Sequence, residues 1–161
     1  MIAEFCTWLS STRFSMAIQD ISWIVPGIQS VHILAIATVM ASIVMLDFRL
    51  LGVTGRGQSI REVAHRFLPW IWSAVAVLLA TGILLIIGEP ARELINPVFW
   101  VKMSLLAVAL ILTGTLQYSV FHHESLWERR RALGRILALA SLLLWMAIVT
   151  AGRWIAYVEH G

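Results

Sequence analysis

His32 stands alone in the apolar run GIQSVHILAIA, residues Gly27 to Ala37, with no other ionisable side chain between Asp20 and Asp47. An imidazole can ligate a metal, carry a proton or hydrogen-bond a neighbour, and it gains nothing from hydrocarbon. Ionisable residues inside a membrane are functional candidates for that reason. At 1.5 Å per residue, His32 falls roughly 10 to 15 Å along an apolar helix. Its face carries Ala35, Val39 and Ser42. Ala35 leaves room for a flat group such as a haem plane or for a neighbouring backbone, and the branched Val39 narrows that room. The alternative is a histidine that only hydrogen-bonds another helix.

Three residues at comparable depth could complete a site. Lys102 and Arg153 each lie roughly 6 Å in from the ends of later apolar segments. Both can snorkel to the interface. Together with His32 they would form a cationic pocket able to hold the carboxylates of a porphyrin. Met146, beside Trp145, offers a thioether as a second axial ligand to iron, or simple packing. The expected cofactor-binding set is therefore His32, Lys102, Met146 and Arg153. A second histidine group, His65 with His122 and His123, borders the membrane at the opposite end. His32, His65 and His122 are the candidate metal ligands, while histidines at such boundaries also cap helices or meet headgroups. Asp47 is expected to form an ion pair with Arg49 or Arg66.

Other chemistries find no foothold. There is one cysteine, Cys6, so neither an intrachain disulfide nor a CxxC site can form. No Gly-rich phosphate loop, HExxH motif or Ser/His/Asp grouping is present. Asp47, Glu89, Glu93, Glu124 and Glu159 are all expected near membrane boundaries, which argues against a proton-coupled transporter.

The elements that must position these residues are set by composition. Of 161 residues, 60% are hydrophobic and only 13% charged, and mean hydropathy is +0.85. A soluble domain needs roughly a quarter of its residues charged, so most of this surface is expected to face lipid. Four segments have the roughly 20 apolar residues that a membrane span requires: about 21–46, 67–87, 98–121 and 137–158. They form a single integral membrane domain, residues 1–161. Pro26 is tolerated in the first turn of the first span. The N-terminal MIAEFCTWLSSTR lacks the positive region and uninterrupted apolar core of a cleaved signal peptide, and it is expected to be retained. Phe5, Cys6, Trp8 and Leu9, then Phe14 and Ile18, suggest a short N-terminal interfacial helix.

The net charge of +3 does not point to nucleic acid, because the arginines are split between two short loops. Arg49, Arg56, Arg61 and Arg66 flank the first loop, and Arg129, Arg130, Arg131 and Arg135 the third. The middle loop, GEPARELINP, has one arginine and two glutamates. By the positive-inside rule the arginine-rich loops lie in the cytoplasm and both termini outside. Trp23, Trp100 and Trp154 then fall at the outer interface and Trp70 and Trp127 at the inner one, with Trp145 near mid-span. Short loops predict an all-α, up-down-up-down four-helix transmembrane bundle. Small residues predict its helix contacts: Ala37 with Ala41, Ala76 with Ala80, and Ala107 with Gly114.

Ordered sequence blocks carry a resemblance. DFRLLG after the first span, RFLPW opening the second, Thr81-Gly82 within it and NPVFWVKM opening the third resemble a family of uncharacterised four-span bacterial membrane proteins over roughly residues 25–115. More distantly, His32 in HILAIA, the following LDFRLLG and Lys102 in FWVKMSLL resemble the four-helix membrane protoporphyrinogen oxidases. FWVK is also similar to the third span of CopD-type copper-resistance proteins. The oxidases carry a tryptophan and a glycine midway through the first span, where this chain has Thr38, Val39 and Ala41. The resemblance implies haem b, with His32 as ligand and Lys102 as a second site residue, in a bacterial inner membrane. The expected function is electron transfer or haem-linked redox chemistry, with a redox partner or larger membrane complex; porphyrinogen oxidation and a homo-oligomer are open. The alternative is a cofactor-free structural subunit or assembly factor of a larger membrane complex.

Overall fold

A computed structural model describes residues 2–54, 57–122, 127 and 130–158, with side chains as far as 154. Arg56, His123, Glu124, Arg129 and Glu159, used above, lie outside the described residues. Two short helices, α1 (Ile2–Ser10) and α2 (Arg13–Asp20), precede α3 (Ile24–Leu51) and α4 (Ile60–Gly88). A single-turn helix, α5 (Pro90–Leu94), leads to α6 (Pro97–His122) and finally α7 (Arg131–Val158). The four long helices, α3, α4, α6 and α7, are apolar enough to cross a membrane. The chain is a multi-pass membrane protein with an all-helical fold.

The long helices extend past the apolar segments, chiefly at the arginine-rich end. Hydropathy falls where charges begin, whereas a helix ends where its backbone groups find other partners. Gly52 ends α3 in the left-handed conformation (φ 78°), with its N–H bonded to the Arg49 carbonyl, a backbone that glycine adopts without cost. Ser59 opens α4: its side chain accepts from the Glu62 N–H, while Glu62 accepts from the Ser59 N–H. Such a reciprocal cap satisfies two otherwise orphaned donors. Pro69 consequently lies inside α4 and leaves the His65 carbonyl without its helical donor. Asn96 begins α6 by accepting from Val98 N–H at 2.9 Å, and Pro97 takes the first helical position, where a missing N–H costs nothing.

Neighbouring helices run antiparallel. α3 packs closely on α4 and on α7, α6 packs on α7, and the α4–α6 seam is thinner. Val39, Ile43, Leu46 and Leu50 of α3 meet Ala64, Leu68, Ile71 and Val75 of α4, with Ala109, Leu116 and Val120 of α6 and Ala138, Trp145 and Ile148 of α7. This continuous apolar core occupies the arginine-rich half and the middle of the bundle. Its fully buried members do not extend before Val39 in α3, after Val75 in α4 or before Ala109 in α6.

The expected small-residue contacts are rotated out of the bundle. Ala37, Ala41, Ala76, Ala80 and Ala107 are exposed, and Gly114 is half-buried. The small residues buried in helix contacts include Ala35, Ser42, Ala64, Ala74, Thr81, Ala109, Thr113, Ala138 and Ser141. These helices are apolar all round, so periodicity does not identify the inner face. Trp23, Trp70, Trp100 and Trp154 are exposed, in keeping with an aromatic belt. Trp127, expected at the interface, is instead buried, because Gly134 lets its ring lie against α7.

The single N-terminal helix expected from the sequence is two. Thr12 breaks the segment and caps α2 by accepting from the Ser15 N–H. The expected apolar face also divides: Cys6 and Ile18 point inward, while Phe5, Trp8 and Phe14 are exposed. The inner face covers the end of α4. Ser15 Oγ donates to the Ile87 carbonyl at 2.6 Å, Gln19 Nε2 to the Gly88 carbonyl at 2.8 Å, and Cys6 Sγ to the Pro90 carbonyl at 3.5 Å. α2 thereby satisfies carbonyls that a helix leaves orphaned in its last turn.

Candidate functional site

His32 and Thr81 lie roughly two turns in from the same end of antiparallel helices α3 and α4, outside the apolar core. His32 Nδ1 and Thr81 Oγ1 are 2.7 Å apart. Thr81 Oγ1 also lies 2.7 Å from the Val77 carbonyl, to which it donates. A hydroxyl carries a single hydrogen, so a threonine donating to its own helix must accept from the imidazole. The network therefore runs from His32 Nδ1–H to Thr81 and on to Val77. This tautomer leaves Nε2 with a lone pair. Gly82 supports the arrangement, because a Cβ there would lie 3.7 Å from His32 Cε1.

Lys102 of α6 lies at a comparable depth from the same end. Its stem runs beside Gly152 of α7, where a Cβ would lie 3.9 Å from Lys102 Cε. Arg153 follows Gly152 and is exposed. The structure thus joins His32 to Thr81 and Gly82, and separately sets Lys102 against Gly152, which Arg153 follows in the chain. Met146 is not turned toward this group: it is 57% exposed, and Trp145, at 3%, takes the inward position.

The second histidine group is looser. His65 and His122 are both exposed. His122 Nδ1 donates to the Tyr118 carbonyl at 2.9 Å, and its ring stacks on Tyr118 with centroids 4.2 Å apart. Nearby, Arg61 lies 5.7 Å from the centre of the Phe121 ring. Among the described residues no hydrogen bond or ring contact joins His65 to His122, and none form a cluster of three or more His, Cys, Asp or Glu able to hold a metal.

Asp47 departs from its expected pairing. Arg49 donates through Nε and Nη2 to the Gln58 carbonyl, and Asp47 has Ser141 of α7 beside it instead. Asp47 is 1% exposed, and its Oδ2 has no partner among the described residues. Helix geometry explains the exchange: Asp47 and Arg49 are two residues apart and so point to different faces. Thr81 and Ser141 are the residues that reading the sequence missed. Depth matching across antiparallel spans was the available signal for Thr81, and none marked Ser141. Trp72 Nε1 also donates to Gln117 Oε1 at 2.7 Å, closing the thin α4–α6 seam.

No curated protein and no solved structure matches the chain. A family of unknown function, DUF6644, matches residues 21–158, and the chain belongs to that family.

Proposed function

We propose that this protein binds haem b at the outer end of its bundle and serves in electron transfer or haem-linked redox chemistry. The carrying observation is the bond from His32 Nδ1–H to Thr81, which leaves Nε2 as a ligand nitrogen. Metal-binding imidazoles characteristically donate their other N–H to such a second partner. The donor set fits a haem held by one histidine, since Met146 faces outward. Haem iron, when bound, supplies one-electron chemistry. His32 would hold the iron, Thr81 would fix the ring's tautomer and orientation, and Lys102 and Arg153 would neutralise the propionate carboxylates. The arginine-rich end faces the cytoplasm of a bacterial inner membrane, by the positive-inside rule.

The test is the visible absorption spectrum of the purified protein. A Soret band that is lost in His32→Ala and retained in Met146→Leu is the expected result. Protein purified from a haem-replete host without a Soret band overturns the reading.

A second reading is a cofactor-free subunit of a larger membrane complex. It is favoured by the small residues Ala37, Ala41, Ala76 and Ala80, which face out of the bundle, because close helix approach in lipid uses such residues. It predicts copurification with a partner and tolerance of His32→Ala.

A further inference from the structure

At the arginine-rich end, α3, the start of α4 and the start of α7 enclose a cavity of about 710 Å³. Arg49, Arg131 and Arg135 line it, together with Ile60, Trp127 and Gly134, and among the described residues no acidic side chain does. We propose that this cavity is a binding site for a phosphate group, held by Arg49, Arg131 and Arg135.

The three guanidiniums come together for separate reasons. Arg131 and Arg135 are one turn apart on α7 and share a face. Arg49 is brought opposite them because the last turn of α3 packs on the first turns of α7, where Leu50 approaches Gly134. The Gln58 carbonyl holds Arg49 through Nε and Nη2, which fixes the guanidinium and leaves Nη1 to donate elsewhere. Among the described residues no carboxylate pairs with any of the three. Like charges facing one cavity repel, and a bound anion reverses the sign of that interaction.

Two further features favour an anion. Trp127 lines the cavity at 8% exposure, and its Nε1 has no hydrogen-bond partner among the described residues. Buried donors in native proteins ordinarily have partners. The N-terminus of α7, a 28-residue helix, adds the positive end of its dipole. Phosphate matches this set because planar guanidiniums bind its oxygens in pairs. The group could belong to an anionic lipid headgroup, since the cavity opens where the spans end, or to a soluble phosphate; basic pockets between spans suit the former. The site is independent of the haem reading and lies at the opposite end of the bundle.

The test measures thermal stabilisation of the full chain in a neutral detergent. The probes are inorganic phosphate and, separately, phosphatidylglycerol, with chloride at equal ionic strength and phosphatidylcholine as controls. Arg131 and Arg135 are exposed, so the double variant Arg131→Gln with Arg135→Gln should fold. It is expected to bind at least one probe roughly tenfold more weakly, because charge-assisted hydrogen bonds are the strong class. The double variant Arg61→Gln with Arg66→Gln removes equal charge from the same end outside the cavity and should bind like the parent. A response to phosphatidylglycerol alone assigns the site to lipid, and a response to inorganic phosphate assigns it to a soluble anion. No response to either probe, or an equal loss in both double variants, overturns the proposal.

Discussion

His32 and Asp47 are the two ionisable side chains that α3 carries into the bundle, and each has a hydroxyl of another helix beside it. Thr81→Val keeps the shape of Thr81 but removes the acceptor for His32 Nδ1. It should cost about 1 kcal/mol of stability and lower haem occupancy while leaving His32 in place. Thermal unfolding and the Soret absorbance per protein check the two effects, and an unchanged Soret band would remove Thr81 from the site. Ser141 is buried, so Asp47→Ala should destabilise by about 1–3 kcal/mol, the cost of stranding a buried polar group. Asp47→Asn keeps an acceptor for Ser141 and should lose less. Equal losses in the two variants would show that the neighbouring Ser141 contributes nothing.

Among the elements, α1 and α2 are more than a surface ornament of the membrane. Their inner face closes the end of α4, and Ile18 packs where a Cβ on Gly88 would lie only 3.1 Å away. Combining Ser15→Ala with Gln19→Ala should destabilise the protein by about 1–3 kcal/mol, at roughly 1 kcal/mol per lost hydrogen bond. It should also speed maleimide labelling of Cys6, which is 3% exposed beneath α5. Unchanged labelling would mean that α1 holds its place without α2. A Gly88→Ala change would press the new methyl on Ile18 and should loosen the same contact.

For the whole molecule, the charge distribution sets a direction across the membrane. With the arginine-rich end in the cytoplasm, a membrane-impermeant maleimide applied to intact cells should label Ile95→Cys and leave Gln58→Cys unlabelled, both positions being exposed in the fold. The reverse pattern would invert the topology. The two proposed sites then occupy opposite ends: His32 with Thr81, and Lys102 at comparable depth, outside the apolar core, and the arginine cavity inside. The core between them, from Val39 to Trp145, offers no polar path among its own members.

Hydropathy alone determined the number of spans and their up-down order, because removing about 20 residues from water is a property of the local sequence. Loop charge gave the expected orientation for the same reason. The placement of His32 among polar neighbours was legible only in part: Lys102 could be matched by depth, while Met146 was carried outward by the rotation of α7. That rotation, like the exposure of Ala37 and Ala76 and the burial of Trp127, was decided by tertiary structure. In a helix apolar on every side, lipid and protein interior solvate side chains alike, so hydropathy leaves the inner face open. Shape decides it instead, through which small residues let neighbouring backbones approach and which hydroxyls meet His32 and Asp47.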